Sequence, residues 1–269
     1  MQKARADKMR RFADLGVYVE GFLDDIEEVK RLIDMMRKLG FDCIALSVTN
    51  PKFLHDLDRI SKRLDSGEVN VVTRLTIVES DPERVKALLR KYRGHVDVIG
   101  VKCLSNAVAR LAARDGRVDL VSFNLVKEPT FDEVEANLIK EQGNAFLELP
   151  IWELFEQIGK EHMLSGLVLE WIQLAREYEV PIVTTSSSRS LYDVRAPREL
   201  ASLAMFFGLS SEEALDSISK NPLSIVERSR VKRSPSFVMP GVLISGRGEP
   251  YEEDKVEVHG IRDYKPRRT

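Results

Sequence analysis

A short apolar run rich in β-formers, followed by an amphipathic helix, recurs about seven times between Phe12 and Pro222. Phe12–Tyr18, Asp42–Val48, Val69–Val78, Val96–Val101, Val118–Leu125, Ala145–Leu149 and Pro181–Thr185 read as strands. Between them the helices carry their own stops and starts. Asp24 reads as an N-cap with Glu27 three residues on, and Ile26, Val29, Ile33 and Met36 then share one face up to Gly40. Asn50-Pro51, Asp81-Pro82 and Ser105 open the next three helices. A helix follows near Asp132–Glu141, then a long one over Ile151–Tyr178 with a break at Gly159–Ser165. Two more close the pattern, one from Pro197 to Gly208 and one from Ser210-x-x-Glu213 that stops before Pro222.

Strict alternation of this kind predicts parallel strands joined by right-handed crossovers. Runs that are apolar throughout, such as Val118–Val121, suit a sheet covered on both faces. The units either close into a barrel or stay open as a doubly wound sheet. Even spacing and the lack of a Gly-rich dinucleotide turn favour an α/β fold of the TIM-like (β/α) barrel kind, with about seven parallel strands. No Pro/Gly linker divides the chain before Ser229, so residues 1–230 are expected to form one barrel domain. Residues 231–269 turn charged and Pro/Gly-rich and read as a tail with one extended apolar segment, Phe237–Ile244.

Charge narrows the partners. Lys+Arg number 41 against 43 Asp+Glu, a net charge of -2, which excludes bulk-charge coating of nucleic acid but not a local basic patch. No apolar run is long enough for a membrane span, and the charged Met1–Arg11 has no secretory apolar core, so a cytoplasmic chain is expected. Cys43 and Cys103 lie too far apart for a CxxC site and are expected to be reduced.

In a barrel the chemistry sits after the C-terminal ends of the strands. Those ends offer Glu20, Asn50, Glu79, Lys102, Lys127, Glu148 and the run Thr184–Arg189. None of His55, His95, His162 and His259 stands in an HxH or HExxH pattern, so no metal is expected on the protein. Asp14, Glu79 and Glu148 are isolated carboxylates, and Asp14 suits backbone donors inside the mouth. Ser186, Ser187 and Ser188 lack a nucleophile elbow and read as a polar loop that caps the next helix, or as a phosphate cradle. Cations remain: Arg74, Lys102, Lys127, Arg189, Arg195 and Arg198 fall in or just after strands three, four, five and seven, and are expected to converge on one phosphate-binding rim. Arg228, Arg230, Lys232 and Arg233, then Lys265, Arg267 and Arg268, add basic runs to the tail that also suit phosphate contacts.

Leu174–Phe207 reads LAREYEVPIVTTSSSRSLYDVRAPRELASLAMFF. This stretch resembles the signature of the thirty-kilodalton ribonuclease P protein subunit family, called component 3 in archaea. A helix ending in Leu174-Ala175-Arg176 and Tyr178 precedes the Val180-Pro181-Ile182-Val183 strand and a Ser-Ser loop, and Asp193-Val194-Arg195-Ala196-Pro197-Arg198-Glu199-Leu200 opens the next helix. Gly208-Leu209-Ser210, Asn221-Pro222-Leu223 and the opening Phe12-Ala13-Asp14-Leu15 agree too, and the segment Phe237–Ile244 points to the archaeal branch.

The resemblance implies a barrel related to the phosphoesterases of the polymerase-and-histidinol-phosphatase (PHP) class. Leu15, Gly16 and Val17 stand where such an enzyme would show metal-binding histidines. It further implies a non-catalytic subunit of ribonuclease P, the endoribonuclease that removes the 5′ leader of precursor tRNA. Its partners would be the ribonuclease P RNA, precursor tRNA indirectly, the small protein component 2 and other holoenzyme proteins, with no membrane. No cofactor is expected on the protein, and magnesium is expected on the RNA. The RNA-binding positions within the motif are Arg195 and Arg198, with the Ser187–Arg189 loop before them; Arg74, Lys102 and Lys127 come from the rim argument alone. A free-standing metal phosphoesterase of the same barrel class is the alternative, and a barrel enzyme acting on a phosphorylated metabolite a further one.

Overall fold

The computed structural model describes residues 10–65, 67–125, 129–142, 144–159, 164–233, 237–239 and 242–243. Seven strands pair in chain order, each parallel to the next. They are β1 (Ala13–Tyr18), β2 (Cys43–Val48), β3 (Asn70–Glu79), β4 (Val98–Cys103), β5 (Leu120–Ser122), β6 (Phe146–Pro150) and β7 (Ile182–Thr185). The helices α1 (Ile26–Leu39), α2 (Leu54–Leu64), α3 (Pro82–Tyr92), α4 (Asn106–Arg114), α5 (Glu133–Gln142), α6 (Ile151–Ile158) and α7 (Leu164–Glu177) fall between successive strands. After β7 come α8 (Pro197–Phe206), α9 (Ser211–Ser217) and α10 (Lys220–Arg233).

The sheet curls into a nearly closed barrel. At the seam between β7 and β1 the Tyr18 N–H donates to the Ser188 carbonyl at 2.8 Å. Asp14 Oδ1 accepts from the N–H groups of Gly16 at 2.9 Å and Ser186 at 3.2 Å, crossing the same seam. A Cβ at Gly16 would stand 2.6 Å from Thr185 Cβ, so only glycine lets β1 approach β7 this closely.

Period-two alternation sorts side chains to the two faces. On β2, Ile44, Leu46 and Val48 join the outer core under the helices, while Cys43 and Ala45 point into the barrel. Ala13, Leu15, Val72, Val98, Leu120, Phe146 and Val183 complete that inner apolar layer, and Leu223, Ile225 and Val226 of α10 plug it from below. Both cysteines are buried free thiols, and burial pushes Cys43 up to about 12.

The local chemistry departs from expectation at four points. The N-cap of α1 is Asp25, not Asp24, because the Asp25 carboxylate accepts from both Glu27 and Glu28 N–H at 3.1 Å. The fifth strand is only Leu120–Ser122, and the Leu125 N–H turns instead to the Gln157 side chain at 2.7 Å. The Ser186–Ser188 loop does not cap α8: Glu199 accepts from the Ala196 N–H at 2.9 Å, and the serines close the seam. The helix opened at Ser210 does stop before Pro222, at Ser217, but a further helix that the pattern does not announce follows it. Pro222 lies in the first turn of α10, where a missing N–H costs nothing, and the helix runs to Arg233. Residues 231–233, read as tail, therefore belong to α10 and to the unit that ends at Arg233. In the second unit, Ser234–Thr269, the described residues are an antiparallel pair, β8 (Phe237–Met239) with β9 (Val242–Leu243).

Candidate functional site

Above the apolar layer the barrel turns polar. Arg74 on β3 points inward and is completely buried, as the two-residue phase from Val72 dictates. Its guanidinium forms a bidentate pair with Glu148 on β6, at 2.7 Å for each arm. It also donates to Thr76 Oγ1 at 3.0 Å and the Leu15 carbonyl at 2.8 Å, and Thr185 Oγ1 donates to the same Glu148 at 2.8 Å. Gly100 makes the room, since a Cβ there would lie 2.6 Å from Arg74 Nη2. Glu148 holds the Arg74 cation firmly charged despite its burial. Arg74 is thus not on the rim: it is an interior charge whose donors are taken by protein groups.

Asp14 is equally buried, and burial raises its carboxyl above the usual range while the Ser186 and Gly16 bonds act against the rise. Its Oδ2 has no hydrogen-bond partner among the described residues.

The mouth itself is a cavity of about 470 Å³ lined by Tyr18, Glu20, Thr49, Thr76, Lys102, Glu153 and Arg189, among others. Lys102 follows Val98 and Gly100 in inward phase and donates to Glu153 Oε2 at 2.6 Å. Arg189 reaches Glu153 Oε1 at 3.3 Å. Glu20 accepts from the Thr49 and Asn50 N–H groups at 2.5 and 2.6 Å and ties two loops together. Tyr18 and Thr76 share a hydrogen bond at 3.2 Å.

The Ser187 hydroxyl faces inward, donating to the Ser186 carbonyl at 2.7 Å, and its backbone takes the left-handed φ of 50°. Arg195 folds back onto its own loop. It donates to the Tyr192 and Val194 carbonyls at 2.8 Å each, and its guanidinium lies 5.2 Å from the Trp152 ring. Arg198 is exposed on the first turn of α8. Lys127 lies outside the described residues, as do His162 and His259. The expected rim therefore resolves into one buried ion pair, a mouth where two cations share one carboxylate, a motif loop that holds Arg195, and an exposed Arg198 on α8.

Glu153 is the mouth residue that strand-end reasoning missed. It lies three residues beyond the last residue of β6, in the first turn of α6, where the chain has already turned over the mouth. Among the described residues no group of three or more His, Cys, Asp or Glu side chains is gathered to hold a metal ion. No described helix is long and apolar enough to cross a membrane.

A family model described as RNase P subunit p30 matches residues 11–234, the whole barrel. The chain belongs to the RNase P subunit p30 family. Among curated relatives it is similar to the ribonuclease P protein component 3 of Methanococcoides burtonii, 31% identical over 240 residues, covering 87% of this chain and 94% of that one. The component 3 of Methanosarcina mazei is 32% identical over 227 residues, covering 81% and 90%. Among solved structures, a chain of an archaeal ribonuclease P with mature tRNA superposes with a TM-score of 0.70 at 15% identity, over 88% of this chain and 99% of that one. A prolidase of Bifidobacterium longum superposes at 0.62 with 12% identity, over 82% and 70%. Those two likenesses show the barrel fold of this p30 family member.

Proposed function

We propose that this chain serves ribonuclease P as a non-catalytic subunit, bracing a catalytic RNA while the RNA removes the 5′ leader of precursor tRNA. The observation that carries the reading is the family match across residues 11–234. The mouth supports it, because Arg74, Glu148, Lys102 and Glu153 are hydrogen-bonded to one another rather than left for a substrate. The names of the relatives, a ribonuclease P protein component 3 and an archaeal ribonuclease P with mature tRNA, support a ribonuclease P assembly as the partner. In this reading it holds the ribonuclease P RNA, a small component 2 and the other holoenzyme proteins, in the cytoplasm. Magnesium acts on the RNA in this reading, and the protein contributes cations against phosphates.

Reconstitution tests it. The full chain alone is expected to leave precursor tRNA intact in magnesium or manganese, and to raise cleavage by the cognate RNA when the small partner is present. No effect on reconstituted cleavage would sink the reading, and so would metal-dependent hydrolysis of a phosphate monoester by the chain alone. Within the motif the two arginines are expected to separate. Arg198→Ala lowers the salt slope of RNA binding by about 0.7–0.9, the share of one phosphate contact. Arg195→Ala chiefly lowers the thermal midpoint, because it removes the bonds to Tyr192 and Val194.

A further inference from the structure

The last two turns of α10 bring Arg228, Arg230, Lys232 and Arg233 over the N-terminal ends of β3, β4 and β5, and Arg93 joins them from the end of α3. Arg93 and Arg228 both pair with Asp119, just before β5. Arg233 pairs with Asp97, just before β4. Arg230 donates to Asn70 Oδ1 at 2.5 Å, and among the described residues Lys232 reaches only the Gly116 carbonyl, at 3.5 Å. The two carboxylates are already engaged, Asp119 by the Ile99 N–H at 2.9 Å and Asp97 by Thr73 N–H and Oγ1 at 2.9 Å. Nearby, Asp115 is taken by Arg117 and Asp42 by the Phe12 N–H. Arg228 Nε is buried with no partner among the described residues.

Five cations, three of them sharing two occupied carboxylates and two on neutral oxygens, are a crowding of like charge that an external anion would relieve. Burial, then Arg228 and Arg93, hold Lys232 below the usual lysine range. The cluster spans two strand spacings, about 10 Å, room for more than one phosphate. Most members are arginines pinned by a first partner and with donors to spare, which suits phosphate oxygens. A docking peptide would want apolar anchors, and Val231 is the exposed large apolar side chain on this part of α10.

We propose that the base of the barrel, the C-terminal half of α10 over the starts of β3, β4 and β5, grips the phosphate backbone of the partner RNA. The proposal rests on the ribonuclease P reading above. Its test is Arg230→Ala/Lys232→Ala/Arg233→Ala in the full chain, which leaves Arg93 and Arg228 to neutralise buried Asp119. Affinity for the ribonuclease P RNA of the same organism, transcribed in vitro, is measured across a salt series beside the thermal midpoint.

The triple variant is expected to bind more than about ten-fold more weakly near 0.1 M salt, with a log–log slope shallower by about 2. Arg230→Lys/Lys232→Arg/Arg233→Lys keeps the charge and should restore the slope. Should the triple variant unfold, Lys232→Glu alone, which breaks only a long backbone contact, is expected to weaken binding about three-fold or more. Unchanged affinity and slope beside a normally binding wild type would overturn the assignment of the base and leave the function standing. Loss of another protein subunit with RNA binding intact would overturn it in favour of a protein-docking face. A wild-type chain that ignores the RNA would sink the functional reading itself.

Discussion

At the mouth of the barrel Lys102 and Arg189 share one carboxylate, Glu153, and the arginine beneath them is sealed against Glu148. At the base, five cations gather around Asp97 and Asp119, which backbone and hydroxyl donors have already engaged; Arg93, Arg228 and Arg233 pair with them, while Arg230 and Lys232 meet neutral oxygens. The two ends carry similar residue types, yet one is closed electrostatically and the other is open. Position in the fold makes the difference. Inward phase on a strand forces a charge to find a partner inside, because an unpaired buried ion is too costly to keep. A helix laid across the outside of a barrel can accumulate cations along its solvent side with far weaker compensation.

The comparison breaks most easily at Arg74. Arg74→Ala should cost about 3–5 kcal/mol, since it strands Glu148 in the barrel without its partner. Denaturant unfolding measures it. A variant that stayed fully stable while losing RNA affinity would return Arg74 to the contact surface. Next comes the seam: Gly16→Ala drives a methyl into Thr185 and should cost about 1–3 kcal/mol by the same assay, with the salt slope of RNA binding preserved.

A smaller effect is expected at the mouth. Lys102→Ala/Arg189→Ala removes two cations but also two partners of one carboxylate, and should change RNA affinity by no more than about two-fold, as partly exposed ion pairs contribute little. A loss as large as that of the base variant would abolish the contrast between the ends.

The smallest effect lies away from both ends and serves as a control. Glu135 on α5 is raised to about 7, first by burial and then by Asp132, from the ordinary glutamate value of 4.5. Its protonated form is the one the fold favours, so its stabilising contribution is complete below about 4.5 and is lost as pH rises through about 7. Glu135→Gln should flatten the pH dependence of thermal stability across that window without changing RNA affinity.

Much of this architecture is legible in the residues. Caps such as Asp81-Pro82 and Ser105, and the alternation of strand and helix, announce the barrel before any coordinate does. The phase of Val72, Arg74 and Thr76 also announces an inward arginine, but a rim drawn from strand positions alone overlooks that parity. The partner was harder to see. Glu148 lies 74 residues from Arg74, and nothing local in either segment names the other. The base was hidden for another reason: Pro222 reads as the end of the helical pattern, and the charged residues from 231 on read as the start of a tail rather than the end of a helix. Only tertiary packing of Ile225 and Val226 into the barrel floor turns those charges into a surface.

Two lysines offer the most direct test, one at each end. Lysine acetylation read by mass spectrometry, with and without the ribonuclease P RNA, compares Lys102 at the mouth with Lys232 at the base in a single experiment. The account predicts that RNA protects Lys232 and leaves the reactivity of Lys102 unchanged. Protection of Lys102 with Lys232 still reactive would contradict it.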